Sequence, residues 1–286
     1  MKTPMVYVNG RLYPEDQPHL SALDRGFTLG DGLFETMRAA GGRVFRWEDH
    51  LARLRRGAEV LAISLPGEIA LCDAVAAALE HRTGEPSLVR LTVTRGVDVG
   101  RGVAVRPGLT PTVVARAVPL VPPTTRGATA VVAPMRRNDT SPLSQVKALG
   151  YGDSVLARRW AEQRGADEAV FLNTRGHVAG ATTANIFAVV GDTLVTPPPE
   201  SGALPGVTRR LVLDLARTAG VPVAERPLSL DDLASAREAF TTNIALGIRP
   251  LVSLDARPIG SGQSGEVTRL LGARLDDVWR RFIEGP

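Results

Sequence analysis

Three prolines lie within residues 119–125, in the sequence Pro-Leu-Val-Pro-Pro-Thr-Thr, towards the middle of a chain of 286 residues. Clustered prolines stiffen a segment and end regular structure on both sides of it. A chain of this length can form two domains of about 100 to 200 residues each. We therefore predict an N-terminal domain at 1–118, a linker at 119–125 and a C-terminal domain at 126–286.

The predicted N-terminal domain combines strands with helices. Strand patterns alternate or are rich in β-branched residues, whereas helical patterns repeat apolar residues every three or four positions. By these criteria the strands fall at 5–9, 35–40, 44–45, 88–94 and 112–118, and the helices at 51–61 and 68–81. This order favours an α+β unit.

The same criteria give a second mixed unit beyond the prolines. The predicted strands are 128–133, 168–172, 178, 185–190 and 193–195, and the predicted helices are 152–164, 206–218, 230–236 and 266–283. The chain as a whole is therefore expected to be α+β.

Composition excludes several classes of protein. Hydrophobic residues make up 44% and charged residues 22% of the chain, as in folded globular proteins. The single cysteine, Cys72, allows neither an internal disulfide nor a thiolate zinc site, and no apolar run reaches the roughly 18 residues of a membrane span. The net charge is +4, but the arginines are isolated or paired and mixed with acids, which disfavours nucleic-acid binding. We expect a cytoplasmic protein without membrane contact.

The basic residues are strongly biased towards arginine. The chain contains 32 Arg and two Lys, which are Lys2 and Lys147. Only an amine can lose its proton and condense with a carbonyl, so an interior lysine in such a chain is a candidate for that chemistry. An ordinary surface lysine is the alternative interpretation of Lys147.

Two positions are candidates for binding a phosphate. The segment 204–209, Leu-Pro-Gly-Val-Thr-Arg, joins a loop to the start of a helix, where backbone amides and the helix dipole favour an anion. Arg53 lies on the polar edge of a predicted helix and either binds a phosphate or is solvated. The four histidines show no metal-ligand spacing, so we expect no metal centre.

Six motifs along nearly the whole chain resemble the class IV aminotransferases, the pyridoxal-phosphate enzymes of fold type IV. They are Asp24-Arg25-Gly26 with residues 30–36, His50-Leu51-Ala52-Arg53-Leu54, Lys147 with Tyr151, Ala184-Asn185-Ile186-Phe187, residues 204–209, and Phe240-Thr241-Thr242-Asn243. The resemblance implies a two-domain architecture with a smaller N-terminal α/β domain and a larger, β-barrel-like C-terminal domain. It also implies a homodimer in which loops around Asp31 and Arg101 serve the partner's site.

The resemblance further implies roles for individual residues. Lys147 would bind pyridoxal phosphate covalently and then move the proton between the substrate's α-carbon and the cofactor. The implied cofactor-binding residues are Arg53, Tyr151, Gly180, Val207, Thr208, Thr242 and Asn243, with Arg53 and the Val207 and Thr208 amides on the phosphate and Tyr151 on the phenolic oxygen. Thr36 is implied near the chemistry, and the implied substrate-binding residues are Phe34, Arg101 and Ala245.

Three positions depart from the family pattern. Gly180 stands where the family has a glutamate that pairs with the pyridine nitrogen, and without it the electron sink should weaken. Glu35, Glu168 or a water is a possible replacement. Gly150 replaces an asparagine, and Ile244 replaces a hydroxyl residue that assists the phosphate.

The residues leave more than one function open. The pattern Arg-Gly at 95–96 with Gly-Arg-Gly at 100–102 resembles that of aminodeoxychorismate lyases, which release pyruvate and form 4-aminobenzoate. This lyase is our main hypothesis. An aminotransferase for D-amino or branched-chain amino acids is the alternative, and a homologue that binds without turnover, because of Gly180, is the third.

Overall fold

A computed structural model describes residues 4–17, 19–82, 84–122 and 126–285. The chain divides into two compact units. The first contains Met1–Val121 together with Val146–Gly150, and the second contains Pro122–Gln145 together with Tyr151–Pro286. The short segment that carries Lys147 therefore belongs to the first unit, although it follows the proline cluster along the chain. Residues 123–125 of the predicted linker lie outside the described residues.

The first unit is built on a six-stranded antiparallel sheet with the spatial order β2-β1-β6-β5-β3-β4. Its strands are β1 (Met5–Val8), β2 (Arg11–Pro14), β3 (Gly32–Ala40), β4 (Arg43–Val44), β5 (Ser87–Thr94) and β6 (Thr112–Pro119). Its helices are α1 (Arg25–Leu29), α2 (Trp47–Leu61) and α3 (Glu68–Leu79). The short helix α1, which begins after its N-cap Asp24, was not predicted.

The alternation of side chains along β3 gives this strand two different faces. Leu33, Met37 and Ala39 belong to a core that includes residues of α2 and α3. Phe34 and Thr36 point to the opposite face, as period two requires. Strand β3 begins three residues earlier than predicted, so both Phe34 and Glu35 lie within it.

The second unit contains a nine-stranded sheet in the order β12-β11-β10-β13-β14-β7-β8-β9, with β15 paired to β14. Its strands are β7 (Ala128–Arg137), β8 (Glu168–Asn173), β9 (Val178–Ala181), β10 (Asn185–Val190), β11 (Thr193–Thr196), β12 (Val223–Glu225), β13 (Glu238–Asn243), β14 (Gly247–Leu254) and β15 (Arg257–Pro258). Its helices are α4 (Gly152–Glu162), α5 (Val207–Thr218), α6 (Leu230–Ala234) and α7 (Glu266–Glu284). The α+β prediction is confirmed in both units.

Strand β8 is buried on both faces. Ala169 and Phe171 pack with Ala157 and Ala161 of α4, whereas the other face joins the main core of the unit. A strand with no polar face reads as a continuous apolar run, as Glu168 to Leu172 nearly does. Strand β14, in contrast, was missed because Arg249 and Pro250 interrupt its apolar pattern. None of the helices in the described part of the chain is long and apolar enough to cross a membrane.

Candidate active site

Lys147 is fixed by backbone hydrogen bonds to strand β3. The Phe34 amide donates to the Lys147 carbonyl at 3.0 Å, and the Leu149 amide donates to the Gly32 carbonyl at 3.1 Å. A Cβ at residue 32 would lie 2.8 Å from both Leu149 Cδ1 and the Val93 carbonyl oxygen, so only glycine permits this close approach. The lysine side chain consequently starts from a defined position beside Phe34.

Two cations contact the ring of Phe34. The Nζ atom of Lys147 lies 4.2 Å from the ring centroid, and the Cζ atom of Arg90 lies 3.6 Å from it. Arg90 is on β5, directly opposite Thr36 of β3. This register places Phe34, Thr36 and Arg90 on one face of the sheet, and a substrate that reached Lys147 would meet all three.

Lys147 is a stronger nucleophile than an ordinary lysine. Burial, reinforced by the positive charges of Arg53 and Arg90, lowers its pKa from 10.5 to about 8, although the negative charge of Glu35 opposes the shift. A larger fraction of the amine is therefore neutral near pH 8 than in a solvated lysine, and the neutral amine is the form that attacks a carbonyl. The prediction of an interior lysine suited to carbonyl chemistry agrees with this environment.

Arg53 is neither solvated nor on an exposed helix edge. It is 7% exposed, and its Nε and Nη2 atoms donate to the two carboxylate oxygens of Glu35 at 2.8 and 2.6 Å. The His50 Nδ1 atom is 2.7 Å from Glu35 Oε2. Burial alone would raise the pKa of Glu35, but Arg53 and His50 lower it to about 2. The solvated interpretation of Arg53 is therefore wrong.

The ion pair with Glu35 also holds the Arg53 guanidinium in one orientation. Glu35 occupies the side of the guanidinium that carries Nε and Nη2. A planar guanidinium fixed in this way is suited to an anion such as phosphate, because little side-chain entropy remains to be lost on binding. The same pairing removes Glu35 as a replacement for the missing pyridine partner, since its carboxylate is already committed to Arg53 and His50.

Arg101 does not join this group of residues. It is exposed in the loop between β5 and β6, and it is not among the charges that shift the pKa of Lys147. Asp31 was assigned to a loop that serves a partner subunit. It is instead paired within the first unit with Arg25 and Arg95 at 2.8 and 2.7 Å.

In the second unit, helix α5 begins as the sequence predicts for an anion site. Its N-cap is Gly206, and no side chain caps the helix, so the amides of Val207 and Thr208 point out of the first turn. A Cβ at residue 206 would lie 2.2 Å from Asn185 Oδ1. Only glycine therefore allows strand β10 to approach the start of this helix.

A buried hydroxyl lies beside this helix start. Thr242 of β13 pairs with Asn185 of β10, the residue that touches Gly206. Its Oγ1 atom is buried without a hydrogen-bond partner in the described part of the chain. Buried hydroxyls normally have partners, so this orphaned donor indicates a ligand that accepts a hydrogen bond.

The neighbouring Asn243 is used differently. Its Oδ1 atom accepts a hydrogen bond from the Leu246 amide at 2.8 Å, and its Nδ2 atom donates to the Thr183 carbonyl at 3.4 Å. The side chain therefore closes the turn at the end of β13 and orients the backbone of residues 244 and 245. Its predicted contact with the cofactor would have to come from the backbone.

Gly180 lies in β9, opposite Phe171 of β8. Its φ of 156° favours glycine. Glu168, suggested from the sequence as a replacement for the missing glutamate, lies on the other face of β8, opposite Ala130. Its Oε1 atom accepts hydrogen bonds from the Thr182 hydroxyl and from the amides of Thr182 and Ala169, so it does not replace that glutamate.

Pyridoxal phosphate fits the groups found in each unit. The first unit offers an amine of lowered pKa to an aldehyde, and the second offers uncapped helix amides and an orphaned Thr242 hydroxyl to a phosphate. Sequence reasoning missed Arg90. Its position on the face of Phe34 depends on the register of β3 and β5, although alternation along 88–94 already placed it among the polar residues of β5.

Comparison with known proteins agrees with this geometry. The family model for amino-transferase class IV matches residues 32–254. A putative branched-chain-amino-acid aminotransferase of Methanocaldococcus jannaschii is 37% identical over 276 residues, which cover 96% of each chain. A D-alanine aminotransferase of Bacillus licheniformis is 29% identical, over 95% of this chain and 96% of that protein.

Solved structures extend the similarity to the whole fold. The branched-chain aminotransferase of Thermoproteus uzoniensis with norvaline has a TM-score of 0.88 and 30% identity, covering 99% of this chain and 95% of that one. The T.th. branched-chain aminotransferase complexed with N-(5'-phosphopyridoxyl)-L-glutamate has a TM-score of 0.88 and 28% identity, covering 98% and 96%. A putative 4-amino-4-deoxychorismate lyase of Legionella pneumophila has a TM-score of 0.84 and 26% identity, covering 92% and 96%.

Proposed function

Because the chain belongs to the class IV aminotransferase family, whose enzymes depend on pyridoxal phosphate, we propose that it is a lyase that converts 4-amino-4-deoxychorismate to pyruvate and 4-aminobenzoate. The observation that carries this proposal is Gly180, which presents no carboxylate on strand β9. A weakened electron sink harms transamination most. A lyase is harmed less, because aromatisation of its product supplies driving force.

Two further features support the lyase. The loop after β5 contains Arg95-Gly96 and Gly100-Arg101-Gly102, the pattern that resembles aminodeoxychorismate lyases. The structural similarity to the putative lyase of Legionella pneumophila extends over 92% of this chain.

In this proposal Lys147 acts twice. When bound, pyridoxal phosphate supplies an electron sink for the substrate's α-carbon. The neutral amine of Lys147 first forms the covalent attachment, and the released amine later accepts the α-proton, for which a pKa of about 8 is well matched. Arg90 binds a carboxylate of the substrate, and Thr36, its cross-strand neighbour, donates a hydrogen bond near the reacting atoms.

The phosphate is held by groups of opposite charge. Arg53, oriented by Glu35, is one of them. The amides of Val207 and Thr208 and the hydroxyl of Thr242 are the others. Tyr151, at the start of α4, donates to the phenolic oxygen.

An aminotransferase is the second candidate. It is favoured by the 37% identity to a protein named as a putative branched-chain-amino-acid aminotransferase and by the similarity to a D-alanine aminotransferase. Both reactions use Lys147 in the same way, so only the products distinguish them.

The test is an assay of products with the purified protein, pyridoxal phosphate and each set of substrates. Fluorescent 4-aminobenzoate together with an equal amount of pyruvate supports the lyase. A new amino acid formed from a 2-oxo acid supports the aminotransferase instead, and no turnover in either assay supports a homologue that only binds. Lys147→Ala is the control in every assay and should be inactive.

We also infer that the protein forms a homodimer. Phe27 of α1 is 79% exposed, and Val99 and Val103 in the loop after β5 are 72% and 81% exposed. Large apolar side chains grouped on a surface are typical of interfaces. Light scattering after gel filtration measures the mass directly, and Phe27→Glu should produce a monomer.

A further inference from the structure

Three adjacent strands of the second unit carry Arg137, Phe171 and Gly180 on one face. Arg137 of β7 lies opposite Asn173 of β8. Phe171 is two residues before Asn173 and so points to the same face, and Gly180 of β9 lies opposite Phe171. Because Gly180 has no side chain, Phe171 and Arg137 are the groups that border its position from the neighbouring strands.

The guanidinium of Arg137 is held against this face. Its Cζ atom lies 4.5 Å from the centroid of the Phe171 ring, a cation–π contact. The aliphatic part of the side chain passes close to Gly202, where an added Cβ would lie 3.1 Å from Arg137 Cγ. Phe171 itself is fully buried, so its ring is a rigid support for the cation.

The charged groups around Arg137 are few and identifiable. Burial lowers the pKa of Arg137, while Tyr151 and Asp153 at the start of α4 raise it. Asp139, two residues further along the chain, is paired with Arg175. Tyr151 is also the residue assigned to the phenolic oxygen of the cofactor, which places Arg137 close to the same ligand.

The two carboxylates suggested as replacements for the missing glutamate are both committed elsewhere. Glu35 is bound by Arg53 and His50 in the first unit. Glu168 points to the opposite face of β8 and accepts hydrogen bonds from Thr182. The charged side chain that borders Gly180 on its own face is therefore a cation.

We propose, resting on the proposed use of pyridoxal phosphate, that Arg137 takes the position of the missing carboxylate and donates a hydrogen bond to the pyridine nitrogen. A guanidinium is always protonated and has no acceptor atom. It can therefore pair with this nitrogen only when the nitrogen carries no proton. The cofactor is consequently held in its neutral-ring form.

This arrangement has a consequence for the reaction. A neutral pyridine ring withdraws electrons less strongly than a protonated one, so charge that develops at the α-carbon is stabilised less. Reactions that rely on long storage of that charge, such as transamination, become slower. A reaction in which bond cleavage itself forms a stable aromatic product is affected less.

The experiment is nitrogen NMR of the holoenzyme reconstituted with pyridoxal phosphate that carries ¹⁵N in the ring. We expect the resonance of an unprotonated pyridine from about pH 6 to about pH 9, since the guanidinium remains charged throughout this range. A protonated ring nitrogen in the unmodified holoenzyme would overturn the proposal.

Arg137→Gln tests the residue itself, and Arg136→Gln is the matched control, because Arg136 is the exposed neighbour on the same strand. Arg137→Gln should make the protonated resonance visible at about pH 6 and weaken cofactor affinity about tenfold, the loss expected for one charge-assisted hydrogen bond. Arg136→Gln should match the unmodified protein. Equal behaviour of the two variants overturns the proposal.

A variant that does not fold is recognised by its circular dichroism, and Arg137→Lys then replaces it. Lysine keeps the charge but loses the planar donor, so it should restore less than half of the lost affinity. Borohydride fixation at Lys147 separates the two levels of the argument. Fixation with a protonated ring rejects only the role of Arg137, whereas no fixation rejects the proposed function as well.

Discussion

Arg53 and Glu35 are joined by two short hydrogen bonds between helix α2 and strand β3, from Nε at 2.8 Å and from Nη2 at 2.6 Å. Both side chains are almost fully buried. The pair lets a charged arginine lie beneath the sheet, and it orients the guanidinium that we assign to the phosphate. Stability and ligand binding are thus linked through one carboxylate.

Glu35→Gln should lower the free energy of unfolding by about 3 kcal/mol or more, because it leaves the buried charge of Arg53 without its partner. Urea unfolding measures the change. Glu68→Gln is the matched control, since the Arg55–Glu68 pair is exposed and such pairs contribute about 0 to 1 kcal/mol. Equal losses in the two variants would contradict the structural role of Glu35.

The pH dependence of stability gives a second test of the same pair. The pKa of Glu35 is lowered from 4.5 to about 2 in the folded protein. The stabilisation is therefore complete above about pH 5 and is lost as pH falls towards 2. Urea unfolding at several pH values should show this loss in the unmodified protein, and a smaller one in Glu35→Gln.

Lys147→Met should stabilise the cofactor-free protein at pH 7. The folded pKa of Lys147 is about 8 and its ordinary value is 10.5, so the folded state disfavours the charged amine below pH 8. Between pH 8 and 10.5 the unfolded chain binds more protons, and stability of the unmodified protein rises with pH. The advantage of the variant should therefore shrink over this interval. An advantage that stays constant would show that the amine is not desolvated.

Arg90→Gln should raise KM for a substrate with a carboxylate about tenfold or more and change kcat little, because one charge-assisted hydrogen bond is lost in binding. Steady-state kinetics measure both constants. Arg116→Gln is the control, since Arg116 lies directly opposite Arg90 on β6 but is paired with Glu15. A fall in kcat alone would place Arg90 in the chemistry rather than in recognition.

Thr242→Val should separate stability from cofactor affinity. The Thr242 hydroxyl is buried without a partner among the described residues, so its removal should stabilise the cofactor-free protein by about 1 kcal/mol. Affinity for pyridoxal phosphate should fall about tenfold, as expected for a lost hydrogen bond to a charged group. Thermal unfolding and fluorescence titration measure the two effects.

Thr196→Val provides the comparison for that variant. The Thr196 hydroxyl donates to the Ile186 carbonyl at 2.8 Å in the same unit. Its removal leaves a buried acceptor unpaired and should destabilise the protein by about 1 to 3 kcal/mol without loss of affinity. Opposite signs for the two threonines are the expected outcome.

The sequence by itself determined the elements and their class. Period-two and period-3.6 patterns are local, so the strands around residues 88–94 and 185–190 and the helices beginning at 152, 207 and 266 were predictable within a few residues. The scarcity of lysine singled out Lys147, and the order of six motifs indicated the family before any coordinates.

Only the tertiary structure decided which side chains meet. Glu35 and Arg53 are 18 residues apart on different elements, and Arg90 reaches the Phe34 ring only through the register of β3 and β5. Arg137 comes to Phe171 through a parallel pairing of β7 and β8 with a register shift after Val132. Strand register and bulges depend on how whole faces pack, and a one-residue slip moves every side chain to the opposite face. Local patterns therefore give the elements, whereas the site arises from their pairing.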